Sequence, residues 1–126
     1  MPRIPSRVTI ILAAVFILTL ALGCAKPDPR IIKGQGLRNI TDLAVGEHPR
    51  DDGFLMLQIT GRNTSSSASD FYYKLEWFDA QGLLLDSFQS RWKKVTVQGQ
   101  VPFVFTEISS RPKAKTWRLM FKHDLK

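Results

Sequence analysis

From residue 54 onward the chain alternates apolar and polar positions with period two, the spacing of strands that bury one face. Leu55, Leu57 and Ile59 share a face of residues 54–63, and the stretch from Gly61 to Ser69 breaks the run. Tyr73, Leu75 and Trp77 share a face of residues 71–78, with Lys74 and Glu76 opposite. Asp79-Ala80-Gln81-Gly82 supplies a turn with glycine where φ is expected to be positive, and residues 83–88 are expected to return as a strand. Residues 92–97 follow, closed by Gln98-Gly99-Gln100. Val101, Phe103 and Phe105 then alternate with Pro102, Val104 and Thr106, which puts Pro102 at a strand start or an edge. Trp117, Leu119 and Phe121 alternate with Arg118, Met120 and Lys122, and a weaker first strand spans residues 39–45. About seven short strands with turn residues between them predict an all-β domain, an immunoglobulin-like antiparallel β-sandwich over residues 37–126.

Ahead of this pattern stands a different one. Arg3 and Arg7 precede an uncharged apolar run over residues 8–22, and Ala21-Leu22-Gly23-Cys24 ends it with small residues and a thiol. A membrane-crossing helix needs about 20 apolar residues for about 30 Å of hydrocarbon. Residues 8–22 fall short of that length. The segment resembles a bacterial lipoprotein signal, which implies a signal helix cleaved before Cys24 and acylation of that thiol. The resulting division is residues 1–23 as signal peptide, 24–36 as lipidated cysteine and flexible tether, and 37–126 as the sandwich. One acyl chain gives only marginal membrane residence, whereas the three chains of this modification make release negligible. By the sorting rule of enteric lipoproteins, Ala25 implies the outer membrane, with the domain in the periplasm. Pro27, Pro29, Gly34 and Gly36 read as tether, with a reach of up to about 40 Å.

The formal charge is +7, of which Arg3 and Arg7 would leave with the signal. From Arg91 onward nine Lys and Arg stand against Glu107 and Asp124. Export argues against nucleic acid as the partner of this basic third. It leaves anionic phospholipid, lipopolysaccharide, cell-wall polymer or an acidic protein, beside a plain solvated basic face.

Candidate chemistry is sparse. Cys24 is the sole cysteine, so no intrachain disulfide forms. His48 and His123 lack metal-ligand spacing, so neither a metal nor another cofactor is expected. Ser65 to Ser69 hold no nucleophile elbow, and Asp51 and Asp52 before Gly53 read as a solvated turn rather than an acid–base pair. No enzyme activity is expected. Asn39-Ile40-Thr41 and Asn63-Thr64-Ser65 match the glycosylation sequon and are expected to be bare. Trp77 and Trp117 alternate with apolar residues and read as core. Trp92 differs, because Arg91, Lys93 and Lys94 flank it. With Arg111, Lys113 and Lys115 it makes the candidate surface for a partner or anionic ligand.

Tyr73-Lys74-Leu75-Glu76-Trp77-Phe78-Asp79-Ala80-Gln81-Gly82 resembles a segment of the YcfL-like bacterial lipoproteins, with Tyr73, Trp77, Asp79 and Gly82 as the motif positions. The Asn63-Thr64-Ser65 strand exit, Trp92, Gly99 and the closing strand to Phe121 fit the same group. The resemblance implies an immunoglobulin-like sandwich associated with the outer membrane, and it carries no catalytic residues. Members encoded beside an outer-membrane activator of a peptidoglycan synthase imply a setting in envelope biogenesis. Two function classes follow. One is a non-catalytic lipoprotein that docks another envelope protein, which should show an exposed apolar patch or a bare strand edge. The other is a lipoprotein binding an anionic glycan or lipid through basic and aromatic side chains, which should show a pocket with convergent polar groups.

Overall fold

A computed structural model describes residues 26–85 and 87–126; the expected signal segment and Cys24 lie outside the described residues. Eight strands follow in order: β1 (Ile31–Lys33), β2 (Ile40–Pro49), β3 (Leu55–Asn63), β4 (Ser69–Phe78), β5 (Leu84–Leu85), β6 (Lys93–Val97), β7 (Pro102–Ile108) and β8 (Thr116–Lys122). No helix occurs among the described residues, and none of them forms one long and apolar enough to cross a membrane.

The strands form two sheets. The larger runs β1-β8-β4, and the far side of β4 is shared by β6, opposite Ser69 to Tyr73, and β5, opposite Trp77 and Phe78. The smaller runs β2-β3-β7, which leaves Pro102 as the first residue of an edge strand, as its missing N–H requires. All pairings are antiparallel except β1 with β8.

Period-two alternation explains what lies between the sheets. Leu57, Ile59, Phe71, Leu75, Trp77, Trp117, Leu119 and Phe121 are all buried, while their neighbours face outward. Phe103 and Phe105 reach across from β7, the first 5.7 Å from the Phe71 ring and the second 4.8 Å from Tyr73, centroid to centroid. Phe121 meets Phe71 edge-on at 5.8 Å. Each tilted pair contributes about 0.5–1.5 kcal/mol beyond the area it buries. Gly61 permits this closeness, since a Cβ there would stand 2.4 Å from Cζ of Phe103.

Three expectations need correction. Ile31 to Lys33, assigned to the tether, form β1, because Ile31 packs on the core and the strand adds to the open side of β8. The expected strand over 83–88 shrinks to Leu84–Leu85. Ser90 N donates to Ser87 O at 3.1 Å, and this turn takes the chain off the β4 edge before Phe88. The strand expected from residue 92 starts at Lys93.

Asn63 fastens one end of the sandwich. Its buried amide nitrogen donates to the carbonyls of Ser67 (3.0 Å), Val97 (3.3 Å) and Gln98 (3.1 Å), and its Oδ1 accepts from Ser65 N at 3.0 Å. An asparagine so enclosed is closed to glycosylation. Asn63→Ala strips these carbonyls of their donor and should lower the unfolding free energy by about 1–3 kcal/mol, measured by urea denaturation.

Candidate functional site

The motif positions do structural work. Trp77 is fully buried. Asp79 builds the turn: its Oδ1 accepts from Gln81 N and Leu83 N, both at 2.9 Å, and its carbonyl accepts from Gly82 N at 3.0 Å. Gly82 sits at φ +79°, the left-handed conformation expected of it. The Tyr73 hydroxyl donates to Glu107 Oε1 across the sheets at 2.5 Å, and Lys93 Nζ donates to the same oxygen at 2.8 Å. Burial first, and then the bond to Glu107, push the Tyr73 phenol well above its ordinary value of 10.0.

The seven residues of the candidate surface stand in different surroundings. Lys93 is spent on Glu107, beneath the outer surface. Lys94 pairs with Asp70 at 3.3 Å on the outer face of the larger sheet. Trp92 is half-buried, and Lys122 Nζ stands 4.2 Å from its ring centroid, so a cation of the chain itself covers the indole. Arg91 is exposed in the β5–β6 loop. Arg111, Lys113 and Lys115 are exposed on the β7–β8 loop, which is held in shape from both ends. Leu55 N donates to the buried Ser109 Oγ at 3.0 Å, and Lys115 N donates to Phe78 O at 2.8 Å. Asp51 and Asp52 lie in an exposed turn, where Asp52 pairs with Arg50 at 2.9 Å. Among the described residues no three His, Cys, Asp or Glu side chains gather as metal ligands.

What sequence reasoning missed lies between the two loops. Ser87, Phe88, Gln89, Ser110 and Arg111 line an open cleft of 510 Å³. Phe88 is 94% exposed, and Leu83 and Leu84 are exposed beside it in sequence. Gln89 Oε1 is buried and has no hydrogen-bond partner among the described residues. The signal was present in Ser87-Phe88-Gln89-Ser90, an aromatic set among polar turn formers, which reads as a loop rather than a strand.

A second feature, also unforeseen, lies at the opposite margin. Arg30 stacks its guanidinium 4.0 Å from the Trp117 ring centroid and bonds Asp28 Oδ2 at 2.9 Å and Glu47 Oε1 at 2.7 Å. Trp117 Nε1 donates to the same Glu47 oxygen at 2.7 Å. The hydrogen bonds from Arg30 hold the Asp28 carboxyl below the usual carboxylate range.

Solved structures share this fold. Cj0090 of Campylobacter jejuni superposes with a TM-score of 0.67 at 21% identity, over 77% of this chain and all of that one. A DUF1425 member from Shewanella sp. pv-4 superposes with a TM-score of 0.58 at 23% identity, over 66% of this chain and 76% of that one. At these identities the likeness is one of fold. No curated protein matches the chain significantly. The family described as "Protein of unknown function (DUF1425)" matches residues 32–123, from β1 to just past β8, and the chain belongs to that family.

The raised Tyr73 phenol gives a signed prediction. In the unfolded chain the phenol ionises near pH 10, while the folded chain keeps the proton, so its contribution is full below about pH 10 and lost as pH rises. Tyr73→Phe should therefore lose less stability than the parent between about pH 9 and about pH 11, read from urea midpoints.

Proposed function

We propose that this protein is a non-catalytic, lipid-anchored envelope module of the YcfL-like type, whose sandwich docks another envelope protein. Acylated Cys24 and the following Ala25 would place it on the outer membrane with its domain in the periplasm. The observation that carries the docking reading is Phe88, 94% exposed on the cleft that it lines with Arg111, with exposed Leu83 and Leu84 shortly before it in sequence and Lys113 and Lys115 on the Arg111 loop. Water pays an ordering cost around such a side chain, so an exposed phenylalanine is relieved by a partner rather than by the fold. The flanking cations select a partner surface with acidic residues around an apolar centre. The glycan-binding alternative draws less support, since Lys122 already lies over the Trp92 ring and Lys93 is tied to Glu107.

Two measurements test this reading. Cys24→Ser should move the protein from the membrane to the soluble fraction; retention on the membrane would refute the anchor. A photo-crosslinker at Ser110 in intact cells should give a discrete protein adduct. Phe88→Ser with Arg111→Glu should reduce that adduct by about tenfold, as expected of a small interface centred on one aromatic anchor. Leu125→Ser, at an exposed leucine of the C-terminal tail, should leave it unchanged. An adduct indifferent to both variants would refute docking at this edge.

A further inference from the structure

The stretch before β1 is fastened to the sandwich. Arg30 holds Asp28 on one side and Glu47 of β2 on the other, with its guanidinium over Trp117. Ile31 N donates to Asp28 O at 3.1 Å, Leu119 N of β8 donates to Arg30 O at 2.9 Å, and Gly34 N donates to Phe121 O at 2.8 Å. Behind this clamp, Lys26, Pro27 and Asp28 turn back along the bare edge of β2. There they line a groove of 610 Å³ with Ile31, Leu43 and Val45.

The position of the anchor follows from the length of chain left over. Four residue steps separate Asp28 from Cys24, at most about 14 Å of fully extended chain, against about 40 Å for a free tether ending at Gly36. A chain that short holds the flank it leaves from close to whatever fixes Cys24. β1 forms one margin of the larger sheet and β5 the other, with β8 and β4 between, so the Phe88 edge lies three strand spacings, about 14 Å, farther across.

We propose that the β1–β2 flank of the sandwich is its bilayer-facing side, held there by the docked lead-in, and that the Phe88–Arg111 edge is thereby turned away from lipid. The inference rests on acylation of Cys24 as proposed above. The flank suits a bilayer surface: Ile32 is exposed on β1, Leu43 and Val45 floor the groove, and the charges of Asp28 and Glu47 are drawn in by Arg30. A lipid surface therefore meets apolar side chains and two carboxylates neutralised by Arg30, with the exposed carboxylate of Asp42 offset in the same groove only by the cation of Lys26.

The acylated full-length mature protein, its lipid confirmed by mass spectrometry, would be placed in phosphatidylethanolamine–phosphatidylglycerol vesicles carrying a headgroup quencher. Fluorophores would be attached at Ala44→Cys on the β2 edge or at Ser110→Cys beside the Phe88 cleft. Quenching at 44 should exceed that at 110 by about threefold or more, given the separation of the two margins. Asp28→Ala with Arg30→Ala should bring the ratio toward one, while circular dichroism shows the sandwich intact. Equal quenching at the two positions on acylated protein would overturn the inference and leave the anchor standing, as would a ratio unmoved by the double variant. Absence of acyl chains would overturn the anchor itself and this orientation with it.

Discussion

The structure depends on an aromatic layer that joins two sheets with no disulfide between them. Phe71 lies near its centre, with Phe121 edge-on from β8 and Phe103 tilted against it from β7. Trp77 and Trp117 stand opposite one another in register on β4 and β8, both buried. Fully burying a large apolar side chain contributes about 1.5–3 kcal/mol, so the layer is the main source of stability in a domain of this size. Charge plays a bracing part at the rim. Tyr73 and Lys93 converge on Glu107 along one side, and Arg30 and Trp117 converge on Glu47 along the other. Each glutamate serves two donors that come from the facing sheet or its lead-in, so each ties the sandwich shut where the apolar layer thins toward water.

That arrangement explains which residues were legible in the sequence. The inward sets on β3, β4 and β8 declared themselves by strict alternation, because a residue between two sheets has one face to fill and one to avoid. The Asp79–Gly82 turn was equally plain, since a left-handed residue after a side-chain-capped turn leaves glycine little competition. β1 was hidden for the opposite reason. Three residues set between prolines and glycines carry no period of their own, and the strand exists through its parallel pairing with a segment 88 residues farther on, Ile31 opposite Leu119. Local propensity spoke for a tether, and tertiary pairing overrode it.

The candidate surface was legible in composition and not in placement. Counting cations from Arg91 onward identifies a basic third but says nothing of which ammonium groups are already engaged. In the fold, Lys93 answers Glu107, Lys94 answers Asp70 and Lys122 covers Trp92, so much of the positive charge is internal to the domain. Among the described residues Arg111, Lys113 and Lys115 stand exposed on a loop held at both ends, and Arg111 lines a cleft with the exposed Phe88. The larger sheet has two unlike margins. One is closed by a clamped lead-in and the other is broken open at Phe88, which gives a small domain two distinct sides to present.

The claim on which both sides depend is that the lead-in is part of the sandwich. Amide hydrogen exchange tests it most directly at Gly34 and Leu119, the donors that join β1 and its lead-in to β8. The account predicts that both amides exchange orders of magnitude more slowly than an unstructured chain, with Leu119 matching the slowest amides of β4. Exchange of Gly34 at the rate of an unstructured peptide would contradict it and return residues 26–36 to the role of a free tether.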